Sequence, residues 1–443
     1  MSSAAESKNP ESIAAQVQAT RRAARELARL SADQRNQILL AAADMLEARE
    51  AEIIKANRED CEALERELAA GTASAVLLKR LKTSSGGIKD MARQVRDVAR
   101  LEDPLGRVLT TTELDDGLTL QKVSCALGVV AVIFESRPDV VPQVGSLAIK
   151  TGNGLVLKGG AEAQETNSVL VSIWHEALVA VSPSLRPAIC ALADRADVAR
   201  ILEMDRDIDL VVPRGSTEFV NYVFAHSRIP VLGHGSGICH IYVDSAADLK
   251  MAREVIVDAK VQYPAACNSV EKVLVHQAVA EEFLPALVRA LQSAGVEVRG
   301  CSRTTTLLPN NGIIPATEQD WHTEYGDLKV TVKIVGDMYE AIEHINHYGS
   351  RHTESILTQN QNAAELFMDE VDAASVFHNA STRFADGFRY GLGAELGISN
   401  SKLHARGPVG MEGLLTYKYK LHGSGQTVTD YAQGKRTFKH RRR

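Results

Sequence analysis

The stretch Gly152-Asn-Gly-Leu-Val-Leu-Lys-Gly-Gly160 runs from a turn into a short apolar strand and leaves through a lysine and two glycines, and Ala161-Glu-Ala-Gln-Glu-Thr166 behind it is helix-like. A strand that hands the chain to a helix in this way is the repeating step of an α/β protein. The step recurs on both sides. Apolar segments at residues 128–134, 155–158, 208–213, 229–232 and 240–244 alternate with helix-length stretches, and a second series follows at 272–276, 329–335, 355–358 and 375–378. Strands spaced by helices pair in parallel and need cover on both faces. The expected fold class is therefore α/β, with two doubly wound parallel-sheet domains.

Upstream, residues 10–100 place apolar side chains at three- and four-residue spacing, as in Ile38, Leu39, Ala42, Met45 and Leu46, which predicts long amphipathic helices. Val108-Leu-Thr-Thr-Thr-Glu-Leu114 and Leu118-Thr-Leu-Gln-Lys-Val123 then alternate apolar and polar residues around Asp115-Asp-Gly117, a β-hairpin signal. At the other end, Lys435-Arg-Thr-Phe-Lys-His-Arg-Arg-Arg443 is strongly basic and is expected to be a solvated, disordered tail.

A chain of 443 residues suits two or three packed units, and 45% hydrophobic with 24% charged residues is an ordinary globular balance. A net charge of -6 gives no electrostatic reason to expect nucleic acid. The first residues are polar and the longest apolar stretch, 127–134, is too short to span a bilayer, so no membrane contact and a cytoplasmic location are expected. The 6 cysteines lie far apart with no CxxC spacing, which argues for reduced thiols and against a disulfide framework or a structural zinc.

Four pieces could carry chemistry. Lys158, just past a strand and followed by Gly159 and Gly160, is placed either to meet a nucleotide's ribose or phosphate or to be a solvated turn lysine. Gly215-Ser216, between a strand and a helix, is either a pyrophosphate seat or an ordinary cap. No GxGxxG joins a strand to a helix, so the usual dinucleotide fingerprint is missing. Gly233, Gly235 and Gly237 let the backbone between Val231 and His240 approach a ligand, while His234, Cys239 and His240 lack a second ligand pair, so no metal is expected. Cys267, in Tyr263-Pro-Ala-Ala-Cys-Asn-Ser269, is either a buried structural thiol or a nucleophile with small neighbours that admit a carbonyl.

Taken together, these pieces stand in the order and spacing of the aldehyde dehydrogenase superfamily, and the resemblance runs from about residue 13 to residue 422. Glu135-Ser-Arg-Pro-Asp-Val140, Lys158-Gly-Gly-Ala-Glu162, Leu232-Gly-His-Gly235, Tyr263-Pro-Ala-Ala-Cys-Asn268 and Lys402-Leu-His-Ala-Arg-Gly-Pro408 resemble, within it, the glutamate-5-semialdehyde dehydrogenase family. The resemblance implies NADPH-dependent reduction of L-glutamyl 5-phosphate to the semialdehyde with phosphate released, in proline biosynthesis. It implies Cys267 as the catalytic thiol, Lys158 with Gly159 and Gly160 at the adenosine ribose, Gly215 and Ser216 at the pyrophosphate, and Glu324 at the nicotinamide ribose. Ser136 falls where the superfamily places an asparagine oxyanion donor, and Val231 where hydrolytic members carry the glutamate that activates water. A reductase that must not hydrolyse its thioester is better without that base.

The implied sequence is thiolate attack by Cys267 on the acyl phosphate, loss of phosphate to a thioester, and hydride transfer from the cofactor. Arg137, Lys150, Arg383 and Arg389 are the cations expected near the anionic substrate, with Asn268 beside the thiol. The implied domains are a cofactor-binding domain (1–107 and 124–231), a catalytic domain (232–398), an oligomerisation element (108–123 and 399–422) and a C-terminal tail (423–443). A homodimer or homotetramer is expected, with a glutamate 5-kinase as a partner. The alternatives are another acylating oxidoreductase of the same fold, or a hydrolase using Cys267 or Ser236 with His234 or His240 as base.

Overall fold

The computed structural model describes residues 10–442 apart from residues 74, 193, 195 and 234, so the candidate ligand or base His234 lies outside the described residues. The chain divides into two compact units, the first formed by Met1–Leu232, Leu392–Gly397 and Val409–Arg443, the second by Gly233–Gly391 and Ile398–Pro408. No helix among the described residues is long and apolar enough to cross a membrane.

The first unit opens with helices Pro10–Leu27, Ala32–Ala48, Glu50–Ala69, Ala75–Leu81 and Ser85–Arg100, as the three/four spacing predicts. Ser31 starts the second of them with a capping box closed by Gln34, which satisfies amides that the first turn leaves free. Its strands are β1 (Val108–Asp115), β2 (Leu118–Ala126), β3 (Val129–Phe134), β4 (Gly154–Lys158), β5 (Ile189–Leu192) and β6 (Leu210–Arg214). Strands β3 to β6 form a parallel sheet in the order β5-β4-β3-β6. Its core includes Val129, Ala131, Ile133, Val156 and Val211, packed with Ile13 and Val17 of the first helix. The chain steps outward from β3 through β4 to β5 and then returns to β3's other side at β6, so the order reverses between β3 and β6. A crevice at the carboxyl ends of the strands is expected at such a reversal.

Residues 229–232 do not form the expected strand. Val231 makes only an isolated parallel bridge with Val211, because Pro230 has no N–H to continue a ladder. Strand β5 was not read from the sequence, being short. Lys150 is also corrected: its ammonium is buried and donates to Asn36 Oδ1 and the Ala99 carbonyl, both at 2.8 Å, so it ties helices together and faces no substrate.

Strands β1 and β2 make the expected hairpin, and residues Leu415–His422 pair along β2 from Leu415↔Ala126 to His422↔Thr119. The basic tail is corrected from disordered to folded. Arg441 and Arg442 pair with β1, Arg436 and Lys439 reach Asp115, Lys439 also meets Asp116, and Phe438 stacks on Tyr431 with ring centroids 4.2 Å apart. The acidic hairpin turn supplies the anions that the basic run matches.

The second unit carries β7 (Cys239–Val243), β8 (Val270–His276), β9 (Glu297–Gly300), β10 (Ile314–Pro315), β11 (Lys329–Val335), β12 (Thr353–Leu357) and β13 (Ser375–His378). They form one parallel sheet in the order β10-β9-β11-β8-β7-β12-β13. Helices Leu249–Val261 and Gln277–Ser293 contribute Ile256, Phe283 and Leu287 to one core, while Met338–Tyr348 and Gln361–Glu370 contribute Ile345 and Phe367 to another. Two apolar clusters served by different helices are what a sheet covered on both faces requires.

Candidate functional site

In the first unit the nucleotide-type residues collect at the carboxyl ends of β3, β4 and β6. Glu135 and Ser136 follow β3, Lys158 ends β4, and Gly215 and Ser216 follow β6. Ser216 caps helix Thr217–His226, accepting from Phe219 N–H, so the cap reading of Gly215-Ser216 holds. Its own N–H donates to Glu135 Oε2 at 3.2 Å. The neighbouring amide is treated alike. Glu162 Oε1 accepts from both the N–H and the Oγ of Ser136, each at 2.7 Å, and Ser136 is buried with a positive φ of 39°.

Two backbone N–H groups at the edge where the strand order reverses thus each donate to a carboxylate of the chain. The space about them is closed to side chains. A Cβ on Gly160 would overlap the Glu162 carboxylate, one on Gly159 would overlap the Asn167 amide, and one on Gly215 would come within 2.8 Å of Glu135 Oε2. Amides, glycine cradle and Lys158 together fit a dinucleotide. Lys158 donates to the Gly159 carbonyl, and Arg137 is half-exposed and lies 3.6 Å from Asp139.

The second unit gathers its residues at the amino ends of β7, β8, β11 and β12. Cys267 is half-buried in the turn just before β8. Cys239 Sγ donates to its carbonyl at 3.3 Å. Gly237 lies against the same carbonyl so closely that a Cβ there would overlap it, and Gly237 N–H donates to Glu324 Oε2 at 2.8 Å. Glu324 is therefore one residue's width from the Cys267 backbone.

On another side, Asn268 Nδ2 donates to the Ala385 carbonyl at 2.7 Å and leaves Oδ1 buried without a partner. That bond ties the cysteine turn to the segment carrying Arg383, which is itself buried and held by Gln262 Oε1 at 2.9 Å. Burial and the Arg389 cation both pull the Arg383 pKa down, while Cys267 acts in the opposite sense, so the guanidinium and the thiol are in electrostatic reach. Arg389 donates to the Arg383 carbonyl at 2.9 Å and pairs with Asp386, a support to Arg383 and not a second anchor.

The hydrolase alternative loses one of its two candidate histidines here. His240 is fully buried, its N–H and Nδ1 both meet Glu354 Oε2, and burial drives its pKa to about 3. An imidazole so hard to protonate is a poor base. Cys239 is equally unsuited, since burial pushes its thiol well above the ordinary value.

Sequence reasoning missed Glu162 as the partner of Ser136, Gly237 as the wall of the cysteine turn, and a buried group formed by Lys260, Glu271 and Lys272. The last had a signal: Glu271-Lys272 interrupts the otherwise apolar run Val270 to Val275, and charges inside a buried strand demand partners.

The family model described as the aldehyde dehydrogenase family matches residues 2–307. A gamma-glutamyl phosphate reductase of Acetivibrio thermocellus is 52% identical over 416 residues, covering 94% of each chain, and one of Haloquadratum walsbyi is 51% identical over 96% of this chain and 93% of the relative. The crystal structure of gamma-glutamyl phosphate reductase from Thermotoga maritima superposes with a TM-score of 0.90 at 40% identity, covering 94% of this chain and 99% of that one. Sequence and fold agree: the chain belongs to the aldehyde dehydrogenase family, and within it to the gamma-glutamyl phosphate reductases.

Proposed function

We propose that this chain reduces L-glutamyl 5-phosphate to L-glutamate 5-semialdehyde with release of phosphate, using NADPH and a thioester on Cys267, as a step of proline biosynthesis. The observation that carries the reading is the contiguity of Glu324, Gly237 and Cys267. It brings the carboxylate proposed for the nicotinamide ribose beside the proposed nucleophile.

Each residue then has a task. The Cys267 thiolate attacks the acyl carbon, the C–O bond to phosphate breaks, and phosphate carries away the electron pair. Arg383, held by Gln262, is proposed to pair with the substrate's anionic groups. The Cys267 N–H is the proposed oxyanion donor, with Ser136 proposed as a second. Arg137 and Asn268 are proposed to hold the substrate, and its exposure leaves Arg137 available for that role. Lys158, Gly159, Gly160, Gly215 and Ser216 would hold the dinucleotide, with Glu324 at its nicotinamide ribose. When bound, the reduced nicotinamide supplies the hydride that converts the thioester to the aldehyde level. A homodimer or homotetramer and a glutamate 5-kinase partner, which would hand over a labile acyl phosphate, complete the proposal.

Phosphate-dependent reduction of NADP by the purified protein with glutamate semialdehyde is the test. Activity that needs phosphate and disappears in Cys267→Ser supports the reading, whereas phosphate-independent production of glutamate would overturn it.

A further inference from the structure

Residues Thr323, Tyr325, Gly326 and Asp327, which flank Glu324, each meet a buried charged side chain of β8 or of helix Leu249–Val261. Lys272 Nζ donates to the Thr323 carbonyl at 2.8 Å and lies 4.4 Å from the centre of the Tyr325 ring. Lys260 Nζ donates to the Asp327 carbonyl at 3.0 Å and meets Glu271 Oε1 at 3.3 Å. The same Glu271 oxygen accepts from Gly326 N–H at 3.3 Å, and the Tyr325 hydroxyl bonds Asp320 and Thr331 at 2.7 and 2.6 Å. Lys260, Glu271 and Lys272 have no solvent exposure. Burying three ionisable side chains is costly unless they are paired, and apolar residues would fill this strand and helix more cheaply. The arrangement fixes both sides of one residue and leaves Glu324 to extend to Gly237.

We propose that Lys260, Glu271 and Lys272 are positioning residues for the reaction, a buried clamp that holds the Thr323–Asp327 turn so that Glu324 is presented to the cofactor's ribose. The inference rests on the reading of Glu324 given above. Burial pushes the Glu271 carboxyl up and the Lys272 ammonium down, as in a group whose charges exist only through one another. A clamp of this kind acts on cofactor binding and leaves the attack by Cys267 to other residues.

The experiment compares Lys272→Met, Lys272→Arg and Glu324→Gln with wild type, using NADPH as the probe. The readouts are NADPH dissociation constants, KM values for NADP and for glutamate semialdehyde, and hydrogen exchange across residues 322–327. Lys272→Met is expected to weaken NADPH about tenfold and to speed exchange in that turn. The semialdehyde KM should stay within about twofold, and Lys272→Arg, which keeps a donor and a charge, should recover most of the loss. Adding Lys272→Met to Glu324→Gln should cost nothing further. If Glu324→Gln weakens NADPH and Lys272→Met does not, the clamp is overturned alone. If Glu324→Gln has no effect on NADPH, the ribose reading falls and the proposal falls with it. Should Lys272→Met not fold, Lys260→Met removes the other end of the clamp and is judged by the same outcomes.

Discussion

Gly237 and Cys267 are in backbone contact: a Cβ at Gly237 would overlap the Cys267 carbonyl oxygen and stand 2.8 Å from its Cα. Gly237 also passes its N–H to Glu324, so the glycine sets the spacing between the proposed nucleophile and the proposed ribose holder. Gly237→Ala must push the cysteine turn aside. We expect kcat/KM to fall by about 100-fold or more, the cost of a displacement of about 1 Å at a reacting group, with a thermal midpoint lowered only modestly. A variant with wild-type turnover would show that the contact has no catalytic consequence.

Cys267→Ser should remove turnover by several orders of magnitude while leaving NADPH binding intact, because an alcohol is a far weaker nucleophile at neutral pH. Cys239→Ser should do much less, since it alters a buried side chain that contacts the Cys267 carbonyl and His352 Nδ1 and is not the proposed nucleophile. Equal losses in the two variants would rule out the covalent mechanism.

Cofactor choice is expected to turn on the residues after Lys158. NAD-using members of the superfamily often carry a glutamate three positions beyond this lysine, where the chain has Ala161, and the nearby Glu162 is engaged by Ser136. With that carboxylate committed, a 2'-phosphate meets no fixed anion at position 161. NADPH should be preferred over NADH in kcat/KM, and Ala161→Glu should narrow the gap by weakening NADPH. Unchanged ratios after the substitution would show that this turn does not read the 2'-phosphate.

Acid should destabilise the fold through His344. Burial, with His240 and Lys333 nearby, lowers its pKa to about 2, and Lys333 Nζ lies 3.2 Å from its Nδ1, which must therefore be the unprotonated acceptor. The unfolded chain takes up this proton near pH 6.5 and the folded one does not. The stabilising contribution is thus complete above about pH 6.5 and is lost as pH falls below it, at about 1.4 kcal/mol per pH unit. Urea unfolding of His344→Gln across pH 5 to 7 should show a pH slope shallower by about one proton; an identical slope would contradict the assignment.

The strand Leu415–His422 lies at one edge of its sheet and exposes Tyr417, Tyr419 and Leu421. An exposed edge strand with an apolar face, here alternating with Lys418 and Lys420, leaves backbone groups for another chain to pair with. Tyr419→Glu with Leu421→Lys should convert an oligomer to a monomer in sedimentation at micromolar concentration, and a wild-type monomer under the same conditions would refute the idea of a shared surface there.

The sequence by itself determined the periodicities: helices before residue 100, the hairpin about Asp115-Asp-Gly117, and most of the parallel strands, with the limits of β11 and β13 read without error. These features are local, set by side-chain spacing and turn chemistry over a few residues. It also marked Cys267, Lys158 and Gly215-Ser216, because a thiol among small residues and a strand ending in glycine are local too. Tertiary structure alone decided the partners. Glu162 on Ser136, Gly237 against Cys267, Asn268 on Ala385, and Lys260 and Lys272 about the Glu324 turn join residues 26 to 117 positions apart. The basic tail, unreadable without its acidic hairpin, and Lys150, which looked like a substrate cation and is a buried tie, follow the same rule. A charge is assigned by what surrounds it after folding, and a linear pattern carries no record of which distant backbone groups will be there.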